Sequence, residues 1–328
     1  MSIPNKSSGA HLVEVDSDRA GQRLDNFLAG HLKGVPKSAV YRMIRTGQVR
    51  INGGRCKAAS RLEAGDKVRI PPAQTREKGE FVISDRVCQQ VRDAVIFEDA
   101  DLLVINKPSG MAVHSGSGLP WGLIDAVRQI RPGKYVELVH RLDRETSGCL
   151  VLALNGPALN HLSALFRDGR LDKRYLCMMN GRMSEPVIEV DAPLRKVTSG
   201  QQRLVEVSDD GKSARTRFRL LEGFRDCSYA EVELFTGRTH QIRAHAKHIG
   251  MALAGDDRYA SKESLKKWKK RGLSRVFLHA HRLEMEAPSG NVLTFEAPLP
   301  DALRKVLNGC FPTNSNQKSA GDDQPAVI

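Results

Sequence analysis

Nine consecutive residues, His140-Arg141-Leu142-Asp143-Arg144-Glu145-Thr146-Ser147-Gly148, set three basic and two acidic side chains directly before an apolar run, Cys149-Leu150-Val151-Leu152-Ala153-Leu154. Charges hard against a buried strand are costly unless they pair or line a cleft. Such a loop presents a carboxylate, Asp143, among arginines that favour its ionised form, which suits a nucleophile or a base. A surface turn held by salt bridges is the competing reading of the same run. His240, His245 and His248 also stand close together, and the last two can share a helix face. Without H-E-x-x-H spacing or a neighbouring cysteine, hydrogen-bonding roles fit them better than zinc. The six cysteines are scattered with no C-x-x-C pair, and no G-x-G-x-x-G or G-x-x-x-x-G-K-[ST] phosphate loop occurs. The expected chemistry therefore uses neither metal nor cofactor.

These residues need elements to hold them. Period-two runs predict strands near residues 94–97, 102–106, 148–154, 174–179, 214–220, 228–234 and 292–296. Helical spacing predicts helices near 123–130, 158–167, 239–248 and 261–271, so the larger region reads as an α+β sheet domain. The 261–271 helix carries six basic residues, and its Trp268 reads as packing or, alternatively, as a stacking platform. Upstream, Leu24, Phe27, Leu28 and Leu32 recur at helical spacing, and Pro36-Lys37 opens a second helix that Gly47 ends. Asn52-Gly53 marks a tight hairpin, because both residues tolerate positive φ. The expected domains are a tail over 1–20, a small α+β unit over 21–72, a linker over 73–92, a larger domain over 93–312 and a disordered tail over 313–328.

Lysine and arginine total 51 against 38 acidic residues, a net +13, which favours a polyanionic partner. Residues 21–70 alone hold eleven basic residues against three acidic ones. No stretch is long and apolar enough for a membrane span, and MSIPNKSSGA lacks a secretory core, so a cytoplasmic protein is expected.

The segment 21–71, with Gly21-Gln22-Arg23-Leu24-Asp25, Lys37-Ser38 and Val49-Arg50-Ile51-Asn52-Gly53, resembles the S-four RNA-binding module. The string H-R-L-D-x-x-T-S-G around Asp143 resembles the catalytic motif of the RluA-type pseudouridine synthases. Asn106-Lys107-Pro108-Ser109-Gly110, Lys173-Arg174-Tyr175, Thr236-Gly237-Arg238-Thr239-His240-Gln241-Ile242-Arg243 and Gly255-Asp256-Asp257-Arg258-Tyr259 match other phrases of that family in the same order. The resemblance spans roughly 93–305 and implies a mixed, mainly antiparallel sheet in the catalytic domain. It also implies that Asp143 is the catalytic carboxylate, that Arg141 enters the RNA in place of a flipped base, that Tyr175 stacks on that base, and that Arg243 pairs with the aspartate. Arg23, Lys37, Arg42, Arg45 and Arg50 are the expected RNA contacts of the first module. Several phrases look like a branch of the family that modifies uridines of large-subunit (23S) rRNA, naked or in an assembling particle. A monomer with no membrane partner is expected.

Overall fold

Why the N-terminal residues fold is visible in their burial. The computed structural model describes residues 9–32, 35–72, 82–115, 119–199 and 202–310. In chain order the first elements are β1 (His11–Glu14), α1 (Leu24–His31), α2 (Lys37–Arg45), β2 (Arg50–Ile51) and β3 (Lys67–Ile70). Leu24, Phe27 and Leu28 of α1 meet Val40 and Ile44 of α2 and Val68 and Ile70 of β3 in one apolar cluster. The strands pair antiparallel in the order β1-β3-β2. Asn52 and Gly53 take φ of 48° and 79°, and the Asn52 side chain bonds Asp66 and the Lys67 amide, fixing the hairpin. Two expectations change here. His11–Glu14, read as tail, pairs with β3; three of its four residues are exposed, so it shows no apolar alternation. The read linker 73–92 overlaps α3 (Asp85–Asp93), a polar helix that buries only Cys88 and Val91. Residues 73–81 of that linker and the terminal 1–8 and 311–328 lie outside the described residues.

The chain then forms β4 (Val95–Glu98), β5 (Leu102–Lys107), α4 (Leu123–Ile130), β6 (Glu137–Leu138), β7 (Ser147–Ala153), α5 (Gly156–Asp168) and β8 (Leu171–Asn180). Next come β9 (Val187–Asp191), β10 (Leu194–Ser199), β11 (Gln202–Val207), β12 (Arg215–Gly223), β13 (Cys227–Leu234), α6 (Gln241–His248) and α7 (Lys262–Lys270). The last are β14 (Leu278–Glu286), β15 (Val292–Glu296) and α8 (Asp301–Asn308). Contacts divide the chain into two compact units, 1–173 with 280–298, and 174–279 with 299–328. This cut differs from the sequence boundaries, because it falls inside β8 and β14.

The first unit joins the N-terminal module to strands ordered β4-β5-β7-β14, with β6 on β7 and β15 on β14. Every residue of β7 is buried, and Ala158, Leu162 and Leu165 of α5 pack with Val151 and Leu102. Asn155 caps α5 by accepting from the Ala158 amide at 2.8 Å, and Gly169 closes it at φ 71°. A seam links module and helix. A Cβ on Gly156 would lie 2.5 Å from the Asp18 carbonyl oxygen and 2.7 Å from that of Ala20, and Arg61 donates to both Gly21 O and Asn160 Oδ1. Only glycine permits so close a backbone approach.

In the second unit the strand order is β8-β13-β12-β9, antiparallel throughout, with β10 and β11 forming a separate hairpin. Ile242 and Ala246 of α6 join Phe218, Ala230 and Val232 in its core. The fold is α+β, as the sequence indicates.

Candidate active site

Asp143 lies in the loop between β6 and β7, where the strand's buried start fixes the loop's exit. Leu142 and Thr146 on either side are buried, Asp143 is half-buried, and Arg141 is exposed. Thr146 N donates to the Asp143 carbonyl at 3.1 Å, which closes the turn.

A second loop, 107–111, grips this one. Lys107 is completely buried, and its Nζ donates to the carbonyls of Pro108 and Met111 at 2.9 Å and of Arg144 at 3.1 Å. Gly110 N donates to Arg144 O, Arg144 Nε donates to Gly110 O, each at 2.9 Å, and Ser109 Oγ donates to Glu145 O at 2.8 Å. Four of these bonds cross between the loops on residues next to Asp143. A buried ammonium is tolerable because three carbonyl oxygens surround it. Sequence reading missed this role: a lysine before proline looks like surface, and only its place at the end of the apolar run 102–106 hinted otherwise.

His140 is structural in its contacts. Its Nε2 accepts from Val151 N at 3.0 Å and its ring stacks on Phe166 with centroids 4.2 Å apart. Burial, and then the charge of Lys173, push its pKa down to about 3, so the ring is neutral.

Tyr175 and Arg243 belong to the second unit. Tyr175 sits on β8 opposite Val232 and packs half-buried against the core. Arg243 on α6 is buried and forms a bidentate pair with Asp256, Nε to Oδ2 at 2.7 Å and Nη2 to Oδ1 at 2.6 Å. Asp256 also accepts from the amides of Arg258 and Tyr259, and the Arg243 guanidinium lies 5.2 Å from the Tyr259 ring centroid. Asp256 thus holds Arg243, a role that its place in the Gly255–Tyr259 phrase does not reveal. The planar fork of arginine suits this geometry and an ammonium would not.

His245 uses both ring nitrogens internally. Nε2 faces the Ala192 carbonyl at 2.9 Å and so carries the proton, leaving Nδ1 to accept from Thr216 Oγ1 at 2.9 Å. Trp268 is fully buried and its Nε1 donates to Asn180 Oδ1 at 2.6 Å, so of its two readings the packing one holds. A cavity of about 520 Å³ at the foot of the β10–β11 hairpin is lined by Arg195, Lys196, Lys212 and Arg238 among others.

Among the expected module contacts, Arg42 and Arg45 are exposed on α2. Arg50 donates to Gly53 O at 3.1 Å, and the Lys37 side chain lies outside the described residues. Arg23 binds Asp25 with two nitrogens at 3.0 and 2.7 Å, and Tyr41 donates to the same carboxylate. That network orders α1 against α2 and occupies much of the Arg23 fork.

Comparison with known proteins agrees with this architecture. A family model described as RNA pseudouridylate synthase matches residues 101–248, and one described as S4 domain matches 22–68. Ribosomal large subunit pseudouridine synthase C of Yersinia pestis is 45% identical over 302 residues, covering 90% of this chain and 94% of that protein. The protein of the same name from Escherichia coli strain K12 is 43% identical over 312 residues, covering 93% and 98%. Among solved structures, Human RNA Pseudouridylate Synthase Domain Containing 4 matches with a TM-score of 0.57 at 23% identity, over 68% of this chain and 95% of that one, a likeness of fold. With relatives this similar along nine-tenths of its length, the chain belongs to the RluA-type RNA pseudouridine synthase family and carries an RNA-binding S4 domain.

Proposed function

We propose that the chain isomerises specific uridines of large-subunit (23S) ribosomal RNA to pseudouridine, with Asp143 as the catalytic carboxylate. The observation that carries this reading is the 42–45% identity, over nine-tenths of the chain, to proteins named ribosomal large subunit pseudouridine synthase C. In the reaction the bond from uracil N1 to the ribose C1′ breaks, the base turns, and a bond from C5 to C1′ forms. C5 gives up a proton and N1 ends protonated, so nothing is oxidised, hydrolysed or energised, and the reaction needs neither a metal nor a cofactor. An ionised carboxylate at the anomeric carbon is what the step requires, and the doubly gripped loop supplies a stiff mount for one.

Reaching a stacked uridine requires flipping it out of the RNA. Exposed Arg141, two residues from Asp143, takes the vacated place, Tyr175 stacks on the base, and Arg243 orients the site as a pre-set cation. Arg42, Arg45, Arg50, Arg23 and Lys37 of the S4 domain bind phosphates and supply affinity and orientation. The enzyme acts as a cytoplasmic monomer on rRNA or on the assembling large subunit.

The test is direct. Pseudouridines are mapped in 23S rRNA from cells lacking the protein and complemented with wild type or Asp143→Asn. Particular sites should vanish in the deletion, return with wild type and stay absent with Asp143→Asn, while the purified variant binds RNA as wild type does. Restoration of the sites by Asp143→Asn defeats the assignment of the carboxylate, and an unchanged pseudouridine map in the deletion defeats the substrate.

A further inference from the structure

Helix α7 has one pinned face and one bare face. On the pinned side, Trp268 Nε1 and Ser264 Oγ both donate to Asn180 Oδ1, at 2.6 and 2.9 Å. Arg271, just past the helix end, donates to both oxygens of Asp226 at 3.1 and 2.8 Å, and Lys267 Nζ lies 2.8 Å from Asp226 Oδ2. Burial pushes the Asp226 carboxyl up, yet hydrogen bonds from Arg271 and Lys267 outweigh it and hold it at about 2. The helix is therefore fixed in rotation about its own axis.

On the other side, Lys262, Lys266, Lys269 and Lys270 are exposed and have no carboxylate partner among the described residues. At 3.6 residues per turn these four fall within an arc of roughly 100°, away from Trp268. Glu263, at the edge of that arc, is the single acid in the helix. Like charges three and four residues apart repel, costing about 0.2–0.5 kcal/mol per pair. Among the described residues Glu263 is the one acid on this helix to offset that repulsion, and a polyanion would relieve the rest. The rise of about 1.5 Å per residue spreads the four charges over about 12 Å, or one per 3–4 Å. One strand of a nucleic-acid duplex carries a phosphate about every 3.4 Å of axis. The two densities are commensurate.

We propose that this lysine face of α7 is a docking surface for the RNA backbone, engaging substrate phosphates independently of the S4 domain. It rests on the reading of the chain as an rRNA-modifying enzyme and extends the footprint of that substrate.

The experiment uses the full-length protein with Lys262→Gln, Lys266→Gln, Lys269→Gln and Lys270→Gln combined, and a 23S rRNA fragment that wild type modifies. Binding is measured against salt, with turnover and a thermal melt alongside. Each phosphate contact contributes about 0.7–0.9 to the slope of log affinity against log salt. With all four lysines engaged the slope should therefore become shallower by about 3, and affinity at low salt should drop about tenfold or more. The melt should not fall, and relief of the repulsion should raise it slightly if at all; the four lysines changed to arginine should behave as wild type. A control with Arg86, Lys134, Arg182 and Lys305 changed to glutamine, all exposed and scattered, should shift the slope far less. An unchanged slope in the α7 variant, or an equal change in the control, overturns the proposal. So does wild-type RNA binding combined with lost binding of an acidic protein, which would assign the face to that partner. If wild type forms no pseudouridine in any rRNA fragment, the functional reading fails instead, and the salt slopes on the same RNA still decide the role of α7.

Discussion

Lys107 shows how a charged residue can be spent on geometry. Its ammonium gathers three carbonyl oxygens, one from the residue following Asp143. Lys107→Met keeps most of the volume but leaves the Pro108 and Met111 oxygens without this donor, while Arg144 O keeps Gly110 N, at a cost of about 1–3 kcal/mol for an unsatisfied buried group. We expect a destabilisation of about 2–4 kcal/mol in chemical denaturation, since more than one acceptor is stranded. Turnover should fall more than tenfold while RNA affinity holds, because the loop that carries Asp143 loosens and the phosphate contacts stay. An unchanged kcat in this variant would show that the grip does not position the carboxylate. The loop that carries Asp143 was legible in the sequence because its charged residues abut an apolar run, whereas the choice of the aspartate rests on the family resemblance. The lysine was not, since burial of a cation by main-chain oxygens leaves no trace in residue type. Asp256 was hidden likewise: its partner Arg243 is near in space but thirteen residues away in sequence.

At the scale of elements, helices with a full apolar stripe were readable, and α4 ends where its periodicity does. Elements that bury little were not: α3 offers the core two side chains, and α8 follows Pro300 with Leu303 and Val306 as its buried pair. In β14 the buried His279 breaks the apolar alternation a reader looks for. The bond between His140 and β7 carries its own pH signature. Folded, the imidazole has a pKa near 3; unfolded, it returns to about 6.5. Between those values the unfolded chain takes up the proton and the folded chain does not. Stability is then full above about pH 6.5 and declines as pH falls toward 3, by at most about 1.4 kcal/mol per unit from this group. Urea midpoints measured from pH 7 to 5 should drop accordingly. His140→Gln, whose amide oxygen can still accept from Val151 N, should start lower at pH 7 and fall less steeply. Parallel curves for the two proteins would rule out His140 as the titrating group.

Across the whole molecule, basic charge is concentrated in the S4 domain and on α7, while Asp143 sits in a loop remote in sequence from both. Deleting residues 1–72 should reduce RNA affinity and flatten its salt dependence, yet leave measurable turnover at high enzyme concentration, because Arg141, Asp143, Tyr175 and Arg243 all remain. A truncated protein that melts normally and keeps the wild-type salt slope would show that the S4 domain does not bind this RNA. A larger loss of stability would trace to the seam on α5, where Asp18, Ala20 and Arg61 meet Gly156 and Asn160. Because the main chain itself touches there, the N-terminal domain is not a bead on a string. An engineer wishing to graft a foreign RNA reader onto this catalyst would have to rebuild that main-chain contact. The portable cassette is the reader together with a matching α5, and a chimera that brings any larger residue to position 156 would point its new reader the wrong way.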